Sequence, residues 1–189
     1  RIEGGQGADQ IDGGAGIDEA GYTESASGVV VDLASNANNG GHAAGDTLTS
    51  IENLRGSDFN DILSGNNKDN RLVGGFGKDR LTGRNGDDTL NGGNSRDVLN
   101  GGGGDDTLIG GNGSDTFIFN GGNDVITDFN GDRLKLDDKL WAGSLTKAQV
   151  LALASQDGTD TTFTFAGGDT LVLENYTDIA GLETVLTLI

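Results

Sequence analysis

The sequence predicts a mainly β chain: a right-handed parallel β-roll, or solenoid, of nonapeptide repeats, closed by a small mixed α/β carboxy-terminal cap. Three observations predict it. Between residues 56 and 118 the chain repeats every nine residues, seven times without a gap, as GSDFNDILS, GNNKDNRLV, GGFGKDRLT, GRNGDDTLN, GGNSRDVLN, GGGGDDTLI and GGNGSDTFI. An acid, or once an amide, holds the sixth place: Asp61, Asn70, Asp79, Asp88, Asp97, Asp106 and Asp115. A large apolar residue holds the eighth: Leu63, Leu72, Leu81, Leu90, Leu99, Leu108 and Phe117.

A glycine opens every unit, which suits positive φ and tight turning at that place. The triplet around each eighth residue presents one side chain to one face. Each unit therefore reads as a six-residue turn and a three-residue strand, two units make a coil, and equivalent positions recur every 18 residues. Leu63, Leu81, Leu99 and Phe117 line one inner face; Leu54, Leu72, Leu90, Leu108 and Ile126 line the other. The phase extends backwards through Glu52 and Leu54 and forwards through Asp124 and Ile126.

The same arithmetic stacks the acids. Asp61, Asp79, Asp97 and Asp115 share one edge; Glu52, Asn70, Asp88, Asp106 and Asp124 share the other. Parallel strands lie ~4.8 Å apart, so bare carboxylates in such ladders repel strongly. The lysines and arginines of the repeats are too few and out of phase to answer them. A hard divalent cation fits: Ca²⁺ takes ~6–8 oxygen ligands in irregular geometry, whereas Mg²⁺ wants stricter octahedra. Softer metals want His or Cys, and the chain has one His and no Cys.

With these residues in view the chain resembles the RTX (repeats-in-toxin) family of calcium-binding β-roll proteins, whose G-G-x-G-x-D-x-U-x motif has this mechanism. Two further copies open the chain, GGQGADQID (residues 4–12) and GGAGIDEAG (13–21). The likeness continues through GDTLTSIENLRGSDFNDIL and FIFNGGNDVITDFNGDRLKL, to about Leu136. It implies that each Ca²⁺ lies between turns two units apart. The candidate ligands are the side chains of Asp9, Asp18, Glu52, Asp61, Asn70, Asp79, Asp88, Asp97, Asp106, Asp115 and Asp124. The turn glycines Gly75, Gly77, Gly86, Gly93, Gly102, Gly104, Gly111 and Gly113 would add carbonyl oxygens. Pairing these positions suggests about six to eight ions. Four residues depart from the motif: Asn70 for an acid, Ser95 for a fourth-place glycine, Arg84 for a second-place glycine and Ala20 for a bulky eighth residue. Sites touching Asn70 or Ser95 should be weaker.

Four regions follow: residues 1–21, a first repeat pair; 22–50, an insert; 51–127, the roll; and 128–189, a capping and secretion region. The insert should continue one strand at Val29, nine beyond Ala20, and then bulge outward. Asp32 and Asp46 are read as solvated rather than as ligands, and His42 as an exposed loop residue. Beyond the repeats, residues 145–155 (LTKAQVLALAS) read as a helix, Thr161–Phe165 and Leu171–Leu173 as a hairpin around Gly167-Gly168-Asp169, and 178–186 as a second short helix. A solenoid needs such a cap over its last coil. The resemblance adds an uncleaved type I secretion signal at the carboxy terminus.

Composition excludes several functions. The net charge of −18 argues against nucleic acid and anionic membranes, and no run approaches the ~20 apolar residues of a membrane span. The hydrophobic fraction of 33% is low for a globular core but sufficient for coils that each bury a thin apolar line. With no cysteine there is no disulfide framework. The absence of Met and of an apolar leader, with Arg1-Ile2-Glu3 entering a repeat at once, reads as the carboxy-terminal piece of a longer protein. No catalytic motif stands out: the ladder carboxylates are committed and His42 is isolated, so the fragment reads as non-enzymatic.

Two functions remain. One is a calcium-folded module, secreted to the extracellular space, that serves the type I secretion machinery and an upstream domain of the same polypeptide. The other is an adhesin-like module for a polysaccharide or surface, gripped by a streak of Arg71, Arg80, Arg84 and Arg96. Charge balance within an acidic roll is the simpler account of those arginines.

Overall fold

An Asp-x-apolar triplet can bury its middle side chain while its neighbours face outward, and an 18-residue coil returns each triplet beside its equivalent. The computed structural model, which describes residues 1–141 and 143–189, has these triplets stacked in two large sheets around one core. The seven-stranded sheet runs Leu186–Leu188, Arg133–Leu136, Thr116–Phe119, Val98–Gly103, Arg80–Asn85, Ile62–Ser64 and Val30–Asp32, all parallel. The nine-stranded sheet runs Ala154–Asp157, Asp160–Thr164, Thr170–Leu173, Asn123–Ile126, Thr107–Asn112, Thr89–Asn94, Arg71–Gly75, Asn53–Arg55 and Glu19–Gly21. It is parallel except where Asp160–Thr164 meets its two neighbours.

The expected inner faces are present in register. Val31, Leu63, Leu81, Leu99, Phe117, Leu134 and Leu186 form one row. Ala20, Leu54, Leu72, Leu90, Leu108, Ile126 and Leu173 form the other. None is more than 1% exposed, and burial of each leucine is worth about 2 kcal/mol.

Three local expectations need correction. Strands in the middle of the roll reach six residues rather than three, because the stacked turn residues also pair, as Gly102 does with Arg84 and Gly111 with Gly93. The opening glycines are not the ones with positive φ. That conformation belongs to the second and fourth places, as in Gly75 and Gly77 or Gly102 and Gly104. The opening glycine supplies space instead: a Cβ on Gly101 would lie 2.0 Å from the Asp106 Oδ2, and one on Gly74 2.3 Å from the Asp79 Oδ2. In the insert both Val29 and Val31 are buried, but it is Val31 that pairs with Leu63, two residues later than the repeat phase requires.

Beyond that strand, residues 33–46 loop out and Thr47–Thr49 returns to pair with Gln10–Asp12. Two asparagine side chains fill the gap between returning and departing backbone. Asn36 exchanges both hydrogen bonds with Leu48, at 2.8 and 3.0 Å. Asn38 donates to the Asp46 carbonyl and accepts from the Asp32 N–H, each at 3.0 Å. They satisfy the backbone as a strand would.

The cap begins with a shorter helix than the sequence suggests. Helix α1 spans Lys147–Leu151, opened by a capping box between Thr146 and Gln149. Ala154 and Ser155 leave it for a strand antiparallel to Asp160–Thr164. The expected hairpin is there, and helix α2 is the short Leu182–Val185. The final Leu186–Leu188 closes the seven-stranded sheet. Phe119, Trp141, Phe163 and Phe165 pack face to face over the last coil, with Phe129 edge-on to Tyr176 beside them. Aromatic bulk thus covers the end that a thin core cannot seal.

Adjacent glycines test the turn geometry. Gly102 has φ +112 and no room, since a Cβ would sit 1.8 Å from the Arg84 carbonyl oxygen, whereas the nearest atom to a Cβ on Gly103 is 3.5 Å away. Gly102→Ala should lower stability by about 2–4 kcal/mol and Gly103→Ala by less than about 1 kcal/mol, read from urea unfolding midpoints.

Candidate metal centre

At both edges the turns place acids in columns, and backbone hydrogen bonds lock each column. The N–H of Asp61 donates to the Oδ1 of Asp79 at 2.8 Å, Asp79 to Asp97 at 2.7 Å, and Asp97 to Asp115 at 2.8 Å. On the opposite edge Asn70 donates to Asp88 at 2.7 Å, Asp88 to Asp106 at 2.8 Å, and Asp106 to Asp124 at 3.1 Å. One oxygen of every carboxylate is thereby held in place.

The other oxygen is the informative one. The Oδ2 atoms of Asp79, Asp88, Asp97, Asp106, Asp115 and Asp124 are buried without a hydrogen-bond partner, as is that of Asp9. The six ladder residues are at most 2% exposed. A buried, unpaired carboxylate oxygen is costly unless a cation meets it. Around it the turns carry left-handed glycines pressed onto the carbonyls of the previous coil: a Cβ on Gly104 would sit 2.2 Å from the Gly86 oxygen, and one on Gly93 2.2 Å from the Gly75 oxygen. The donors are all hard oxygens. Among the described residues no three acids, histidines or cysteines converge, so a gap offers at most two carboxylates and the remainder of a coordination shell must be carbonyl oxygen or water. That set suits Ca²⁺.

Burial, reinforced by neighbouring carboxylates, raises the acids even though the ladder N–H works the other way. Asp79 and Asp88 are pushed up to about 7, Asp97 and Asp106 to about 6, and Asp124 to about 8. Asp61, Asp115 and Asp132 move in the same direction.

Not every candidate has this environment. Both oxygens of Asp61 are satisfied, by the Val29 N–H at 2.7 Å and by the Ser57 N–H and hydroxyl at 2.7 and 2.8 Å. Asn70 accepts from the Asn66 N–H and donates to the Glu52 carbonyl, each at 2.7 Å. Glu52 accepts from the Asp18 N–H at 3.1 Å and faces Lys68 at 3.7 Å. Asp18 itself is half-buried over Gly13.

Three acids outside the regular phase take backbone N–H groups of the turns: Asp132 extends a ladder, Asp46 makes the same bond in the first repeat pair, and Asp128 holds a glycine turn. Asp132, 3% exposed, accepts from the Asp115 N–H at 2.8 Å. Asp128 receives the Gly110 and Gly111 N–H groups at 2.8 and 2.7 Å. Asp46 is 2% exposed rather than solvated, accepting from the Asp9 N–H at 2.9 Å and the Tyr22 hydroxyl at 3.2 Å. Asp46-Thr-Leu48 and Asp132-Arg-Leu134 carry the Asp-x-apolar signature, but the insert and a one-residue deletion put them out of nine-residue phase. Asp32 is not simply solvated either: it grips Arg84 through two hydrogen bonds of 2.7 and 2.8 Å, and the pair holds its carboxyl far below the usual range. Of the arginine streak, Arg71 also faces an acid, Glu19, at 3.7 Å. His42 lies in the 3₁₀ turn Gly41–Ala43 of the insert.

The RTX calcium-binding nonapeptide repeat model matches in four copies, over residues 1–20, 55–90, 64–98 and 91–126. Among solved structures, the extracellular lipase LipA from Serratia marcescens is similar at 20% identity and a TM-score of 0.50, over 97% of this chain and 34% of the lipase. The present chain thus spans about a third of that protein's length. The AlgE6R3 subunit of the Azotobacter vinelandii mannuronan C5-epimerase is similar at 28% identity and a TM-score of 0.32, over 69% of this chain and 78% of the subunit. No curated protein matches the chain.

The raised acids dictate a pH dependence. Their folded pKa values, about 6 to 8, lie above the unfolded value near 4, so the folded chain holds more protons between those limits. In chelator the stability they contribute should be complete below about pH 4 and lost as the pH rises through 6 to 8. Calcium should reverse the trend, binding more tightly as pH rises across that window and releasing protons. Thermal melts in chelator and in calcium, from pH 4 to 8, check both directions.

Proposed function

The chain belongs to the RTX calcium-binding nonapeptide repeat family through residues 1–20 and 55–126, and from that premise we propose that it is the module whose folding on calcium outside the cell supports secretion and the stability of an upstream domain. The observation that carries this reading is the pair of ladders of buried, unpaired carboxylate oxygens. The residues that would hold the ions are Asp79, Asp97 and Asp115 on one edge and Asp88, Asp106 and Asp124 on the other, with carbonyls of the glycine turns. Calcium supplies positive charge and oxygen coordination at those points. Everything else is done by the chain: ladder N–H groups hold one oxygen of each acid, opening glycines leave space for the other, and the leucine rows hold the coils at fixed spacing.

Linkage turns this arrangement into a switch. Metal-binding energy becomes folding energy when the ligands are assembled only in the fold. In calcium-poor cytosol, self-repulsion at a net charge of −18 keeps the chain open enough to thread through the type I secretion machinery. At the roughly millimolar calcium outside, sites of extracellular grade fill. The folded end then serves as a template for the upstream domain. The module does no chemistry itself. Glycan binding through the arginine streak loses support because Arg71 and Arg84 already face acids of the chain.

Far-UV circular dichroism during a calcium titration, with magnesium in parallel, tests the reading. A cooperative gain of β-structure with calcium alone is expected. Replacing Asp88 and Asp106 together by Ala should raise the calcium needed at least about tenfold, as loss of about 1.4 kcal/mol of binding would. Full structure in chelator, or no change on the double replacement, would sink it.

A further inference from the structure

Arg84 is anomalous twice over. It occupies the second place of its unit, where Gly5, Gly14, Gly75, Gly93, Gly102 and Gly111 adopt positive φ, and it takes that left-handed conformation too, with φ 91. Such a backbone disfavours any side chain, so something must hold it. Its guanidinium reaches back across the preceding coil to form the two-pronged pair with Asp32 in the insert and also donates to the Gly65 carbonyl oxygen. One cation thereby ties the strands Val30–Asp32 and Arg80–Asn85 of the seven-stranded sheet to the turn that leaves the strand between them, Ile62–Ser64.

The coil under this tie, residues 56–73, is built differently from those above it. None of its residues has positive φ, whereas the later turns each use such residues. Its sixth-place residues, Asp61 and Asn70, have all their polar atoms met by protein. The unpaired oxygens of the roll begin only at Asp79 and Asp88.

We infer that the Arg84 guanidinium is a tethered cation that replaces calcium at this point of the roll, joining the insert to a coil, residues 56–73, that holds no ion. Asp32 and the Gly65 carbonyl are its ligands, in the way carboxylates and turn carbonyls serve calcium further along. The inference rests on the calcium reading of the later turns. Its consequence is a preorganised platform on which the first metal-bearing coil can close, made at the cost of one strained residue.

The test uses the 189-residue chain and calcium alone. Arg84→Gly restores the repeat's own residue and removes strain, so a merely deviant arginine would make it fold at lower calcium. The expected result is the opposite: Arg84→Gly and Asp32→Asn each need several-fold more calcium for half-maximal dichroism, the double variant needs no more than the worse single, and Arg84→Lys falls between. Ion counting by equilibrium dialysis should find Asp61→Asn equal to the parent and Asp97→Asn at least one ion poorer. Folding of Arg84→Gly at equal or lower calcium, additive single effects, or an ion lost from Asp61→Asn would each overturn the inference. Should the parent show no calcium transition, the functional reading fails instead. The tie is then read from thermal melts in chelator, where Arg84→Gly and Asp32→Asn must melt below the parent for it to stand.

Discussion

Like charges stacked at strand spacing are the constraint on which this molecule turns. Two carboxylates about 5 Å apart repel by roughly 3 kcal/mol at an effective dielectric near 20, and each ladder repeats that contact coil after coil. The fold does not relax this repulsion. It enforces it, because every ladder N–H fixes one oxygen of the next acid and the leucine rows permit no other spacing. Protonation or a cation must answer it. The raised acids describe the first remedy, and the hard-oxygen turns are suited to the second.

The rest of the architecture follows from how little the core can contribute. Each coil buries one apolar side chain per sheet, so the roll has no thick interior to hold it against its own charge. Stability must be added from outside the repeats. At the carboxy-terminal end it comes from aromatic packing and from strands that continue both sheets. At the other end it comes from polar ties: asparagine side chains that stand in for a strand, and Arg84 spanning from its own coil to the insert.

Most of the roll was legible in the sequence, since its period is carried by chemistry that has no other purpose. Acids and leucines in phase over residues 56–118 specify two-unit coils, two inner rows and two acid edges. The positions found are the positions expected. Where the phase slipped, reading failed. Val31, Asp46 and Asp132 do the work of their repeat counterparts at the wrong spacing, and only the folded chain brings them into line. The helix expected over 145–155 was cut to five residues because Ala154 and Ser155 found a strand partner that no local pattern announces.

The amino-acid sequence by itself determined the period, the buried rows, the columns of acid and hence the kind of cation that suits them, because each depends on residues a fixed distance apart. Tertiary structure alone decided which of those acids are left unpaired. Asp61 and Asp97 look alike as letters in a repeat, yet one is satisfied by Val29 and Ser57 and the other keeps a bare buried oxygen. The difference lies in partners 32 residues away in the chain, in the case of Val29, and in whether a turn closes through glycines or through side chains. Hydrogen-bond satisfaction is a property of neighbours in space, and no period in the sequence records it.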